Sequence, residues 1–167
     1  KAAYEAEKVF ICGGDEFQTL YPEVFQESPL IKSKLQMMRS YPLKMYQKFG
    51  PTLCGGLTLQ HYASFAQCET LPALKKRFET EMKEYLDWGI HVMVTQNEHG
   101  ELVIGDSHEY GYGFDPFNRG NVNELILKYL NSFMNLEYEV GEHWYGVYAK
   151  HPESTEFMAE PEKGVKI

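Results

Sequence analysis

The chain has 167 residues, of which 43% are hydrophobic and 14% aromatic, a composition typical of a globular protein rather than a disordered one. The 16 basic residues are outnumbered by 24 acidic ones, so the net charge is −8 at neutral pH. A surface with this charge repels nucleic acids and anionic membranes, and we expect neither as a partner. A chain of this length buries roughly 70% of its unfolded surface, which favours one domain over residues 1–167.

The three cysteines are odd in number and form no C-x-x-C pair. We therefore expect neither a disulfide framework nor a zinc knuckle, and a reducing cytoplasm is the simplest location. No apolar stretch approaches the roughly 18 residues that a membrane-spanning helix needs, and the sequence contains no signal-peptide pattern.

The first part of the chain predicts short strands. Residues 9–12 are apolar and are followed by Gly13 and Gly14, which indicates a strand that ends in a turn. Residues 34–39 predict a second strand. Residues 57–65 mix β-branched and aromatic side chains without a clean period, so we assign them no element.

Two amphipathic stripes predict helices. The first stripe covers residues 71–88, with Thr70 as the expected N-cap. The second covers residues 121–134, where Asn121 and Glu124 have the spacing of a capping box. The first helix carries its charged side chains, including Glu79 and Lys83, on the side opposite the apolar stripe.

The remaining elements are strands. Residues 90–96 and 101–105 predict a hairpin whose turn is opened by an asparagine and closed by a glycine. A strand over residues 144–151 follows the second helix, and residues 156–158 and 164–167 predict a short final pair. These elements predict an α+β fold, with an antiparallel or mixed sheet and helices on one face.

The strand over residues 144–151 has a glycine between two aromatic side chains. Because side chains alternate along a strand, Trp144, Tyr148 and Lys150 share one face, with Gly146 between the aromatics. A glycine inside a strand often marks the close approach of a ligand or of another backbone. The sequence therefore leaves two interpretations open, a small-molecule site and a core strand with a packed neighbour.

The six histidines lack the spacing of a metal-binding motif, since neither H-x-x-x-H nor H-E-x-x-H occurs. A metal site would need ligands from distant segments, and we predict none. His108 stands out because Asp106 and Glu109 are near it in sequence. If residues 106–110 are extended, Asp106, His108 and Tyr110 project to one side, which indicates either a functional site or a polar strand end in water.

Three segments occur in an order that resembles a known family. Residues 8–14 form a strand with a glycine turn, and residues 102–111 form a strand that ends in Ile-Gly and a polar His/Glu tail. After the second helix comes the Trp-x-Gly-x-Tyr pattern of residues 144–148. This order resembles the substrate domain of the amine-oxidising flavoproteins, which include D-amino-acid oxidase, glycine oxidase and sarcosine oxidase. The segments are most similar to a branch proposed to act on aminophosphonates.

The resemblance implies an FAD-dependent oxidoreductase that oxidises the C–N bond of a small amine, with a hydride passing to the flavin. It implies a D-amino-acid-oxidase-like substrate domain, with residues 1–15 and 155–167 as short edges of a missing FAD-binding half. The G-x-G-x-x-G turn that binds the pyrophosphate of FAD does not occur in the chain. Since the first residue, Lys1, is also not methionine, we expect a piece of a larger flavoprotein that folds but neither binds FAD nor oxidises an amine by itself.

The resemblance also implies the roles of individual residues. Where amino-acid oxidases have an arginine for the substrate carboxylate, this chain has Tyr148, the residue type of sarcosine oxidases, so a simple carboxylate clamp is not expected. The implied catalytic residues are Tyr148 and His108, the substrate-binding residues are Trp144, Gly146 and Lys150, and the residues near the flavin are Gly13 and Gly14.

Two other functions stay open at this point. The first is a stand-alone small-ligand-binding or interaction module without catalysis. The second is a hydrolase that uses Asp106, His108 and Glu109, although no nucleophile elbow accompanies them. The expected partners are a small amine and the missing FAD-binding half, and exposed apolar surface would favour a homo-oligomer.

Overall fold

The computed structural model describes residues 2–44 and 48–167. These residues form two compact units. The first unit comprises the residues up to Ser33, Tyr110–Tyr112 and Val147–Ile167, and the second comprises Lys34–Glu109 and Gly113–Gly146. The single domain over residues 1–167 stays a prediction.

The described elements are a mixture of strands and helices around a mostly antiparallel sheet. The strands are β1 (Val9–Phe10), β2 (Ile31–Ser40), β3 (Leu53–Cys54), β4 (Met93–Gln96), β5 (Leu102–Gly105), β6 (Glu109–Gly111), β7 (Val140–Lys150) and β8 (Val165–Lys166). The helices are α1 (Pro22–Glu27), α2 (Thr58–His61), α3 (Leu71–Glu81), α4 (Lys83–Leu86) and α5 (Gly120–Phe133), with a 3-10 turn at Ala63–Phe65. None of these helices is long and apolar enough to cross a membrane.

The larger sheet has the strand order β3-β4-β5-β2-β6, and β7 also pairs with β2. Strand β5 is antiparallel to both of its neighbours. Ile104 of β5 lies opposite Met38 of β2 and opposite Val94 of β4. Directly opposed side chains lie on the same face of a sheet, so these three form one apolar row, and all three are fully buried.

Helices α3 and α5 pack in the same hydrophobic core as the apolar row of Met38, Val94 and Ile104. Phe78 of α3 and the α5 residues Val122, Ile126 and Leu130 belong to the same buried cluster as Ile104. The spacing of four residues along α5 places its three side chains on one stripe. The predicted α+β class is confirmed at this level, and so is the apolar stripe of the second helix.

The predicted helix over residues 71–88 is wrong in one respect, because it is two helices. Helix α3 ends at Glu81, and Met82 leaves the helical region with φ −128° and ψ 24° before α4 begins. Residues 79–84 contain neither glycine nor proline, so no local breaker marks this interruption. Thr70 occupies the predicted N-cap position of α3 but makes no side-chain capping hydrogen bond. The predicted capping box at Asn121 is wrong, because Arg119 is the N-cap residue of α5.

The first unit contains the parallel pair β1 and β8, with Val9 opposite Val165. The predicted final pair of residues 156–158 and 164–167 is found only in part, because residues 156–158 form no strand and β8 pairs with β1. Ile167 does exchange backbone hydrogen bonds with Ala159, just beyond the predicted partner strand. A small separate core forms around Phe17 and Phe25, whose rings stack with centroids 4.7 Å apart.

The hydroxyl of Tyr129 links α5 to the start of α2. This buried tyrosine accepts a hydrogen bond from the backbone N–H of Leu57 at 3.0 Å. We expect Tyr129→Phe to lower the free energy of unfolding by about 1–2 kcal/mol, because the amide loses its acceptor. Urea unfolding followed by circular dichroism measures this difference.

Alkaline pH supplies a second readout for the same variant. Burial raises the pKa of Tyr129, against the opposing effect of backbone hydrogen bonds from Leu57 and Gly56. Because the pKa of Tyr129 is higher in the folded protein than the ordinary tyrosine pKa of 10.0, this group stabilises the folded state fully at pH values below the unfolded-state pKa. That stabilisation is lost as the pH rises through the pKa of the folded state. The wild type should therefore lose more stability than Tyr129→Phe between neutral and strongly alkaline pH, and equal losses would contradict this role.

Candidate functional site

Three histidines from separate segments meet in the second unit. His61 ends α2, His91 lies just before β4, and His108 lies just after β5. One ring nitrogen of each comes within 4.8 Å of the other two. His91 and His108 are 2% and 6% exposed, and His61 is half-buried. We call His61, His91 and His108 the histidine cluster.

The β4–β5 hairpin explains why two of these histidines are neighbours. Met93 lies opposite Gly105, so the residues before β4 and those after β5 meet at one end of the hairpin. The N–H of His91 donates to the carbonyl of Asp106 at 3.4 Å, which continues the pairing beyond the strands. The confirmed hairpin therefore places His91 and His108 side by side.

Backbone contacts join α2 to the same place. The N–H of Gly55 donates to the carbonyl of Val92 at 2.8 Å, and the Thr58 hydroxyl lies 3.4 Å from the carbonyl of His91. These contacts hold the short helix against the segment before β4. His61, in the last turn of that helix, is thereby placed over His91.

The three imidazole rings form a small stack. The ring centroids of His61 and His91 are 3.8 Å apart, those of His61 and His108 are 4.6 Å apart, and those of His91 and His108 are 4.9 Å apart. The interplanar angles are between 24° and 40°. Tyr62 meets the His91 ring edge-on at a centroid distance of 5.7 Å and closes one side of the stack.

Polar groups fix two of the rings. His108 Nδ1 lies 3.0 Å from the carbonyl oxygen of Gly89. Because a carbonyl only accepts, Nδ1 carries a hydrogen and donates it to this oxygen. His91 Nε2 lies 3.3 Å from Oδ1 of Asp106, a carboxylate that is itself buried. A carbonyl and a carboxylate therefore set the orientation of the two buried imidazoles.

Gly89 is required at this place in the fold. Its φ is +56°, in the left-handed region that favours glycine. A Cβ added there would lie 2.9 Å from Cβ of His108 and 3.1 Å from its carbonyl oxygen. Gly89, which follows α4, is thus the residue that lets the chain pass close to His108.

His108 is the one residue of the predicted site that belongs to the cluster. Its Nδ1 lies 4.0 Å from Oδ1 of Asp106, as the sequence suggested. Residues 106–108 lie outside a strand, and β6 begins only at Glu109. The alignment of Asp106, His108 and Tyr110 on one side stays a prediction. Glu109 lies beside Lys34 and Arg119, at 4.0 and 3.5 Å.

The other predicted substrate-binding residues lie on β7. This strand is continuous over 11 residues and includes Trp144, Gly146, Tyr148 and Lys150. A Cβ added at Gly146 meets no described neighbour within 4 Å, which removes the interpretation of a tightly packed core glycine. Lys150 Nζ donates to the hydroxyl of Tyr110 at 3.1 Å. The shared face of Trp144 and Tyr148 stays a prediction.

Gly13 and Gly14 form a turn after β1. The N–H of Glu16 donates to the carbonyl of Gly13 at 3.1 Å, and Gly14 has φ +62° with open space around it. The next described helix is α1, which begins only at Pro22 and has six residues. The described residues therefore supply an open backbone turn but no glycine-rich strand-to-helix turn for a pyrophosphate, and FAD does not fit this chain alone.

Comparisons with known proteins add no relative. The comparisons found no matching family model, no matching curated protein and no matching solved structure.

Proposed function

We propose that this chain is the substrate-binding portion of an FAD-dependent oxidoreductase that oxidises the C–N bond of a small amine, of amino-acid or aminophosphonate type. The specific fold we propose is that of the D-amino-acid-oxidase-like substrate domain. The observation that supports this most is strand β7, in which a glycine with open space around it lies between partly exposed aromatic residues. Such a surface suits a small ligand that needs backbone without side chains.

The order of the elements gives further support. Strand β5 ends in Ile104 and Gly105, the amphipathic helix α5 follows, and β7 carries the Trp-x-Gly-x-Tyr pattern. The sheet that contains these strands is mostly antiparallel. Both features agree with the arrangement that the resemblance implies.

The side chains on β7 have distinct roles in this proposal. The Tyr148 hydroxyl orients the substrate, and Trp144 forms a wall beside it. Lys150 carries a positive charge that is held by the Tyr110 hydroxyl and lies 5.1 Å from the centre of that ring. A cation in this position suits the acidic group of an amino acid or an aminophosphonate. We propose a separate part of the protein as the binder of FAD, since the described residues lack a pyrophosphate site.

The proposal is tested by purifying the protein that is encoded by the complete open reading frame containing this chain. We expect it to purify with about one FAD per chain, and small amines should bleach the flavin absorbance without oxygen. Calorimetric titration of the 167-residue chain with FAD should show no binding. A folded, colourless longer protein would overturn the proposal and favour a binding module without catalysis.

Tyr148→Phe tests the residue assignment in the same flavoprotein. Loss of the hydroxyl leaves a polar group of the substrate without its partner, so we expect catalytic efficiency to fall roughly 5- to 150-fold, from about 1–3 kcal/mol. Tyr145→Phe is the matched control, because Tyr145 lies three residues before Tyr148 on β7 and both are 38% exposed. Equal kinetics of the two variants at full flavin content would contradict the role of Tyr148.

A further inference from the structure

We propose that the histidine cluster binds one divalent transition-metal ion of the class that prefers imidazole ligands, such as Zn²⁺ or Co²⁺, and leaves one coordination position open. The site includes His108, which the family resemblance implies as a catalytic residue, but binding of the ion needs no flavin. It was missed in the sequence because its three ligands come from segments that are far apart along the chain.

Convergence of three donors is the first argument. Each histidine offers a ring nitrogen, and these nitrogens lie within 4.8 Å of one another. Ligands at about 2.0–2.1 Å from a tetrahedral ion are roughly 3.4 Å apart, so the stacked rings must turn towards a common point to bring the set to bonding distance. His61 has the freedom for this movement, because it is half-buried and ends a helix of four residues.

The groups behind the rings are the second argument. Metal-binding histidines generally donate their other ring N–H to a carbonyl or a carboxylate, which fixes the ring and its tautomer. His108 has this arrangement with the Gly89 carbonyl at 3.0 Å, and Nε2 of His91 lies 3.3 Å from Oδ1 of the Asp106 carboxylate, within ion-pair distance. A carbonyl and a carboxylate thus lie beside two of the three proposed ligands.

Burial and charge are the third argument. His91, His108 and Asp106 are all buried, so an ion among them loses much of its water. Neutral imidazoles replace that water as ligands, and the Asp106 carboxylate offsets part of the charge. Three nitrogen ligands suit Zn²⁺, Co²⁺ or Ni²⁺ rather than Mg²⁺ or Ca²⁺, which prefer oxygen. With three protein ligands, the fourth position is open to water or a substrate atom, as in catalytic zinc sites.

Titration of the chelator-treated 167-residue chain with Co²⁺ and with Zn²⁺ tests the site. We expect about one ion per chain at micromolar affinity or tighter, and a tetrahedral Co²⁺ absorption spectrum that Zn²⁺ abolishes. Mg²⁺ should not compete. The readout does not depend on FAD or on amine oxidation, so its result is independent of the proposed function.

Variants assign the ligands. His61→Ala should weaken Zn²⁺ binding at least 100-fold and should keep the fold, since His61 is the ligand that is only half-buried. Asp106→Asn should weaken it roughly 10- to 100-fold, because Asp106 positions His91 rather than touching the ion. His99→Ala is the control, since His99 is an exposed histidine in the turn of the same hairpin.

The outcomes separate clearly. Stoichiometric binding that His61→Ala abolishes and His99→Ala leaves intact establishes the site. Binding well below one ion per chain, binding that both histidine variants weaken equally, or an octahedral Co²⁺ spectrum overturns it. In the absence of metal, the circular dichroism spectra of His61→Ala and of the wild type must be the same, which shows that the variant is folded. If His61→Ala is unfolded, His61→Gln replaces it, and unchanged Zn²⁺ affinity in that variant also overturns the site.

Discussion

Gly89→Ala should lower the free energy of unfolding of the second unit by about 2–5 kcal/mol. A non-glycine residue in the left-handed region costs about 1–2 kcal/mol, and overpacking against fixed atoms adds about 1–3 kcal/mol. Both apply here, because Gly89 has φ +56° and a new Cβ would meet backbone and Cβ atoms of His108. Those atoms cannot rotate away as the end of a flexible side chain can.

Urea unfolding of Gly89→Ala measures this cost, and Gly100→Ala is its matched control. Gly100 also has a positive φ, +80°, but a Cβ there would have its nearest neighbours at 3.9 and 4.0 Å. Gly100→Ala should therefore lower the free energy of unfolding by about 1 kcal/mol, which is the cost of the backbone conformation alone. If the two variants lose the same stability, close packing against His108 is not what requires Gly89.

The second large effect is expected for Lys34→Met. Lys34 is 1% exposed, and its ammonium group donates to the carbonyls of Asp115 at 2.7 Å and Phe117 at 2.8 Å. It also lies 4.7 Å from the ring centre of Tyr145 and 4.0 Å from a carboxylate oxygen of Glu109. Methionine keeps the apolar stem but removes both hydrogen bonds, so we expect a loss of about 3–5 kcal/mol.

Lys32→Met controls for the general effect of removing a lysine from β2. Lys32 lies two residues earlier, pairs with the exposed Asp15 at 3.6 Å and lies 5.1 Å from the ring centre of Phe17. An ion pair with one partner open to solvent contributes about 0–1 kcal/mol, so this variant should lose far less stability than Lys34→Met. Thermal and urea unfolding of both variants decide the question. Similar small losses would show that the carbonyls of residues 115 and 117 find other partners.

The elements that the sequence predicts well are those with local signals. The hairpin of β4 and β5 is marked by alternation and by the turn residues Asn97 and Gly100, and the structure confirms it. Helix α5 lies within one residue of its predicted bounds because its stripe is regular. The break at Met82 and the pairing of β8 with β1 depend on tertiary contacts, and no local pattern indicates them.

The same distinction applies to the histidine cluster. The predicted hairpin already implied that His91 and His108 are neighbours, since residues before one strand meet residues after the other. A search for short histidine motifs passes over this pair because 16 residues lie between them. His61 joins them only through the packing of α2, a helix of four residues in a segment without a clear period.

The β4–β5 hairpin has its turn at the end opposite the histidine cluster, and a label can be attached at that turn. Its turn lies six or more residues from His91, which corresponds to roughly 20 Å along an extended strand. Glu98 and His99 are exposed there, while Asn97 holds the turn through hydrogen bonds to the N–H groups of His99 and Glu101. A fluorophore or an affinity tag attached at residue 98 or 99 therefore labels the protein at a distance from its buried imidazoles.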